Sequence, residues 1–260
     1  LYPSAPESDI LRSLGRGDFP AFVGEFRDAG TICIVREYVD GVPLDRYVAE
    51  RAPSAAEILG IAAQICDILT FLHGQNPPII HRDIKPQNII VTASGAIRLI
   101  DFDIARTYDQ EAETDTRVIG TRAYAPPEQF GFSQTDGRAD IYSLGVLLRW
   151  MLSGTADARR AVIPDRALAA IVRRATEFSP DNRYPSAAAM KRHLLSADSR
   201  RRKRPLRALA AAALLVAALA AGFFVGRYTG AFAPGGVRFR EPLIEEAVRL
   251  QLGKGAGEEL

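Results

Sequence analysis

A small set of side chains in this sequence could share one piece of chemistry: Asp83, Lys85, Asn88 and Asp101. The first three lie in His81-Arg82-Asp83-Ile84-Lys85-Pro86-Gln87-Asn88, and the fourth opens Asp101-Phe102-Asp103. Moving a phosphoryl group asks a protein mainly for positioning and for neutralised charge. It takes a carboxylate to orient an attacking hydroxyl and accept its proton, cations to offset charge on the migrating group, and hard oxygen ligands for Mg²⁺ or Mn²⁺. A lone Asp says nothing, since most are solvated or cap a helix. An ordered set of this kind does not arise by chance in 260 residues.

These groups need a rigid mounting, and the flanking sequence predicts one. Ile89 to Val91 and Ile97 to Ile100 flank Ala93-Ser94-Gly95 and read as a hairpin between Asn88 and Asp101. Upstream, Thr31 to Arg36 read as a strand, ended at Asp40-Gly41. Ser54 and Glu57 form a capping box, and Ile58, Ile61, Ala62, Ile65, Ile68, Leu69 and Leu72 follow at helical spacing until Gly74 and Pro77-Pro78 stop the helix. Downstream, Ile141, Leu144, Leu148 and Met151 mark one helical face, and Leu168, Ile171, Val172 and Ala175 another. The expected fold class is α+β with helices dominant. Apolar residues make up 47% and charged residues 25%, ordinary for a globular core. The net charge of +2 points to neither nucleic acid nor an acidic partner. Cys33 and Cys66 sit among apolar neighbours and read as small buried hydrophobes in a reducing compartment rather than as a disulfide.

With these motifs the chain resembles the eukaryotic-type Ser/Thr protein kinases, most of all their membrane-anchored bacterial members, from about Glu7 to Leu195. The resemblance implies a kinase fold with a partial N-lobe and a complete, mainly helical C-lobe, the hinge falling near 37–40. It implies ATP and Mg²⁺ or Mn²⁺ as cofactors and protein Ser/Thr hydroxyls as substrates. Asp83 becomes the catalytic base, Lys85 the contact to the γ-phosphate, and Asn88 and Asp101 the metal ligands. Glu37 and Val39 belong to the segment that reads adenine through its backbone, with Arg36 at the gatekeeper position. Glu7 is the expected partner of the ATP-contacting lysine. His81 and Phe102 take structural places beside the base and the metal ligand. Thr121, in Gly120-Thr121-Arg122-Ala123-Tyr124-Ala125-Pro126-Pro127-Glu128, is placed to touch Asp83 and Lys85. Glu128 is expected to pair with Arg183, and Asp140 to brace the catalytic loop. Arg82 beside the base marks kinases switched by activation-loop phosphorylation, which makes Thr114 and Thr116 the favoured autophosphorylation sites. A homodimer for that reaction is a further expectation.

The sequence departs from the family pattern in two places. Asp103 stands where the family has Gly, which predicts a stiffer switch around an intact metal ligand. No Gly-x-Gly-x-x-Gly loop and no strand lysine precede Glu7, so the expectation is that the phosphate-gripping part lies upstream of Leu1 and that this chain alone binds ATP poorly. The alternative is a pseudokinase or membrane-anchored docking scaffold without phosphotransfer. Retention of Asp83, Lys85, Asn88 and Asp101 together argues for the enzyme.

Residues 208–226 differ in kind, with no charged or hydrogen-bonding side chain. At about 1.5 Å per residue they can cross a hydrocarbon core of roughly 30 Å. Arg200, Arg201, Arg202, Lys203, Arg204 and Arg207 precede them, and only Arg227 follows closely. The positive-inside rule then sets the kinase domain in the cytoplasm, on a single-pass cell-membrane anchor. A nuclear-localisation reading of the basic run is disfavoured by the apolar segment beside it. The expected organisation is a kinase domain over 1–196, a basic juxtamembrane segment over 197–207, a transmembrane helix over 208–226 and a short tail outside over 227–260.

Overall fold

A computed structural model of the chain describes residues 6–29, 31–107, 123–130, 135–228 and 242–254. The chain falls into two units, Leu1–Arg201 and Arg202–Leu260.

The first unit opens with helix α1 (Pro6–Ser13), which buries Ile10 and Leu11. Strand β1 (Phe22–Asp28) then pairs antiparallel with β2 (Thr31–Arg36), from Phe22↔Arg36 to Asp28↔Thr31 with a bulge between Phe22 and Gly24. The sequence signals β2 but not β1. A glycine and charged residues interrupt the apolar alternation of β1, and its pairing with β2 supplies the order its own pattern lacks. A second small sheet joins β3 (Val42–Pro43), β5 (Ile89–Val91) and β6 (Ile97–Leu99) in the order β3-β5-β6. Gly41, at φ +155, lets β3 approach this hairpin: a Cβ there would meet the Ile90 side chain and the Val91 carbonyl at 2.6 Å. The short strands β4 (Ile79–Ile80) and β7 (Arg106–Thr107) pair on either side of the catalytic segment.

The helices supply the core. Helix α2 (Leu44–Arg51) precedes α3 (Ala55–His73), whose capping box is present in both directions. The Ser54 hydroxyl accepts from the Glu57 amide, and the Glu57 carboxylate accepts from the Ser54 amide. Helix α3 is long and apolar enough to cross a membrane, yet its apolar face, including Ile65, Leu69 and Leu72, is buried in the protein. It is a core helix. It packs on α4 (Gly137–Ser153), and α4 packs on α5 (Arg166–Ala175). Between these last two the backbones come close, because a Cβ on Gly145 would lie 2.6 Å from Ala175 Cβ. Helix α6 (Ala187–Tyr228) begins in this unit, where Met190 and Leu194 are buried.

The sulfur atoms fit the sequence reading in part. Cys66 is buried, with its thiol pushed up to about 12 by burial first and the Asp67 charge second, whereas Cys33 on β2 is only partly covered. Both are free thiols. In the second unit α6 continues through 208–226, and α7 (Pro242–Leu252) follows.

Candidate active site

The segment after β4 carries the catalytic candidates on irregular backbone held from two sides. Asp140, fully buried on the first turn of α4, accepts the His81 amide at 2.9 Å and the Arg82 amide at 2.7 Å. His73 Nε2, at the end of α3, contacts the same carboxylate at 2.9 Å. Burial pushes the Asp140 carboxyl up, but hydrogen bonding and charge from His73, with the His81 amide, outweigh it and hold it below its usual value. From the other side, Gln129 Nε2 donates to the Arg82 carbonyl at 2.7 Å. These contacts maintain Arg82 at φ 68, a left-handed conformation that costs a non-glycine residue about 1–3 kcal/mol.

Beyond this clamp the groups converge. Lys85 Nζ donates to Asp83 Oδ2 at 2.5 Å, and Asn88 Nδ2 reaches the same oxygen at 3.0 Å and the Asp83 carbonyl at 3.0 Å. A 3-10 turn over Pro86–Asn88 leads straight into β5. The β5–β6 register Ile89↔Leu99, with the Ile100 amide donating to the Asn88 carbonyl at 2.9 Å, sets Asn88 beside the approach to Asp101. Asp101 lies at φ 72, a conformation Asp tolerates better than most residues. The Asp103 amide donates to its Oδ1 at 3.3 Å. Phe102 is fully buried, 4.9 Å from the His81 ring and 5.6 Å from that of Phe19. His81 is fully buried too; its Nδ1 accepts the Asp83 amide, and burial holds the imidazole below its usual pKa, hence neutral.

These residues fit a magnesium nucleotide. Asn88 uses its NH₂ on Asp83, which leaves its amide oxygen as a hard donor, and Asp101 adds a carboxylate across the hairpin. Among the described residues no group of three or more His, Cys, Asp or Glu forms a closed metal cage. That suits Mg²⁺, which binds through one or two carboxylates and completes its shell with phosphates and water.

Around this centre the structure makes contacts the sequence reading did not anticipate. Glu7 on α1 is hydrogen-bonded to the Asp103 side chain, and Arg36 Nη1 donates to its Oε1 at 3.2 Å. Burial, then Asp103, raises the Glu7 carboxyl to about 7 against the opposing pull of Arg36. The residue in the glycine position and the gatekeeper arginine are thus the observed partners of Glu7. Glu37 is gripped by Arg98 of β6 through two N–O contacts of 2.9 Å, and it also accepts the Ala21 amide. Arg98, then Ala21, hold its carboxyl down at about 2. Its amide is used on the Ala21 carbonyl, whereas Val39 and its neighbours form open backbone between β2 and β3. Nothing in the sequence motifs flagged Arg98 or His73, whose partners lie far away along the chain.

Glu128 and Arg183 form a buried bidentate pair at 2.6 and 2.8 Å. The remaining Arg183 donors reach the carbonyls of Glu177, Arg138 and Phe178, so the guanidinium is fully satisfied. Thr114, Thr116 and Thr121 lie outside the described residues.

Residues 4–209 match the protein kinase domain family, and the chain belongs to it. It is similar to the serine/threonine-protein kinase PknB of Mycobacterium tuberculosis, 38% identical over 187 residues that cover 62% of this chain and 30% of the relative. The PknB of Mycobacterium leprae is 37% identical over 190 residues, covering 64% and 30%. A probable PknB of Lactococcus lactis is 37% identical over 134 residues, covering 51% and 21%. The chain therefore spans under a third of the length of these relatives.

Proposed function

We propose that this chain is the catalytic part of a membrane-anchored bacterial Ser/Thr protein kinase, transferring the γ-phosphoryl group of ATP to Ser or Thr hydroxyls of proteins. The observation that carries the reading is the convergence of Lys85 and Asn88 on one oxygen of Asp83, on a loop clamped by Asp140. In this reading Asp83 accepts a hydrogen bond from the substrate hydroxyl and takes its proton as the new P–O bond forms and the bond from the γ-phosphorus to the β–γ bridging oxygen breaks, releasing ADP. Lys85 moves from Asp83 to the γ-phosphate oxygens, where its charge offsets that of the migrating group. Asn88 and Asp101 hold the metal, which supplies charge neutralisation on the phosphates when bound. Val39 and the Glu37 carbonyl offer backbone groups to adenine, and the grip of Arg98 on Glu37 fixes their direction. The similarity to proteins named serine/threonine-protein kinases supports Ser/Thr over other acceptors.

The test is the full-length protein with Asp83→Asn. We expect phosphate transfer to a generic protein substrate to fall by about 10²–10⁴-fold with the fold intact. Activity at the wild-type level would remove Asp83 from the role of base. Autophosphorylation at Thr114 or Thr116, within a homodimer, belongs to the same reading. Phosphopeptide mapping of active protein that finds neither site modified would exclude it.

The membrane anchor rests on 208–226. This segment is helical within α6, and of its described side chains Leu214 is 73% exposed, Val216 65% and Phe224 61%. A helix apolar all round is buried in protein or in lipid. In this reading the kinase unit is cytoplasmic and the tail lies outside, which the basic residues ahead of the segment favour by the positive-inside rule.

A further inference from the structure

Away from the catalytic loop, a groove of about 710 Å³ runs between α5 and the first turns of α6. Its floor is apolar, built from Ala167, Ala170, Ile171 and Ala197. Its rim is basic. Arg173 and Arg174 come from the last turn of α5, and Arg192 and His193 from α6. All four are exposed, and among the described residues none of the three guanidinium groups has a hydrogen bond or an ion pair. Glu177 is the acidic side chain on the lining.

Basic residues in a last helical turn often serve only the helix dipole. Here they do more. The Arg174 guanidinium lies 4.5 Å from the Tyr184 ring centroid, and the His193 ring packs against the same ring at 5.1 Å. Stacking fixes the guanidinium plane while leaving its N–H edges open, the arrangement that suits a phosphate. Arg192 adds a charge from a second helix. A free phosphate would use the rim and leave the apolar floor exposed, whereas an amphiphile uses both. Along the chain, only residues 198–207 separate Ala197 from the apolar segment, and most of them are basic.

We propose that this groove holds the phosphorylated headgroup of an anionic membrane lipid, with Arg173, Arg174 and Arg192 on its phosphate oxygens and the apolar floor beneath its glycerol and first methylenes. The proposal rests on the reading that 208–226 crosses the membrane.

The experiment uses the full-length protein in phosphatidylcholine nanodiscs doped with photoactivatable phosphatidylglycerol, with labelled peptides mapped by mass spectrometry. We expect labelling both in 208–226 and in the peptides carrying Arg173–Arg174 and Arg192–Ala197. The triple variant Arg173→Ala, Arg174→Ala, Arg192→Ala should lower groove labelling about tenfold, leaving 208–226 unchanged. The single exchange Arg192→Glu, at an exposed site, is the second variant and should act in the same direction. Labelled 208–226 with an unlabelled groove, or a groove labelled equally in both variants, overturns the proposal while the membrane reading stands. Equal groove labelling by a phosphatidylcholine probe also overturns it. Loss of groove labelling in millimolar inorganic phosphate assigns the site to a free anion and overturns the lipid. Labelling of neither region removes the membrane reading, and the proposal with it.

Discussion

Asp103 and Arg36 stand where the family resemblance leads one to expect a glycine and an apolar or Thr side chain. A glycine there could not have reached Glu7, and an apolar residue could not have drawn on its charge. Instead two carboxyl groups share a hydrogen bond, and one of them titrates near neutrality. The folded-state pKa of Glu7 is raised from 4.5 to about 7, so its stabilising share is full below 4.5 and is lost as pH rises through about 7. The attachment of α1 should therefore loosen across that window, seen as falling protection factors for the Ile10 and Leu11 amides. Asp103→Gly should flatten the dependence. The Glu7 pKa should also fall, though not to 4.5, because burial is its largest cause; an unchanged carboxyl titration by NMR would show that Asp103 contributes nothing.

At the scale of elements, the catalytic loop is positioned by helices rather than by its own sequence. Helix α4 presents Asp140 from one turn and closes on α5 through Gly145. Adding a methyl group at Gly145 forces a 2.6 Å contact with Ala175 Cβ, so Gly145→Ala should cost about 1–3 kcal/mol by overpacking. Denaturant unfolding measures it, and a loss under a few tenths would show that the helices can slide apart. The Glu128–Arg183 pair behaves differently. Removing one partner leaves a buried charge alone, so Arg183→Met should cost about 3–5 kcal/mol, and Glu128→Leu combined with Arg183→Met markedly less. A double variant as unstable as the single one would locate the value of Arg183 in its carbonyl contacts instead.

For the whole molecule, His81 and Asp140 lower stability on acidification, and Glu7 opposes His81 between about 7 and 4.5. The neutral His81 imidazole is kept below 6.5 by burial, so the unfolded chain binds the extra proton as pH falls through 6.5, and stability declines from there downward. Asp140 is held below 3.8, and its share is present above that value and lost beneath it. As pH falls below 6.5, the melting temperature of the wild-type protein should drop relative to that of His81→Phe, a variant that preserves the packing on Phe102. Membrane attachment is testable at the same scale. The protein should resist alkaline carbonate extraction, and deleting 208–226 should release it to the soluble fraction.

Legible in the sequence alone were the ordered candidates Asp83, Lys85, Asn88 and Asp101, the capping box at Ser54, the hairpin between Asn88 and Asp101, and the faces of α3, α4 and α5. These are local signals, carried by residue type and by spacing within one element. Tertiary structure decided the rest. It chose Asp103 and Arg36 as partners of Glu7, tied Arg98 to Glu37, delivered His73 to Asp140, and gathered arginines from α5 and α6 around one groove. Each of these joins residues distant in the chain, and only packing sets which charged side chains share a burial site. Strand β1 shows the same rule in the backbone, for its order comes from the register with β2 and not from its own residues.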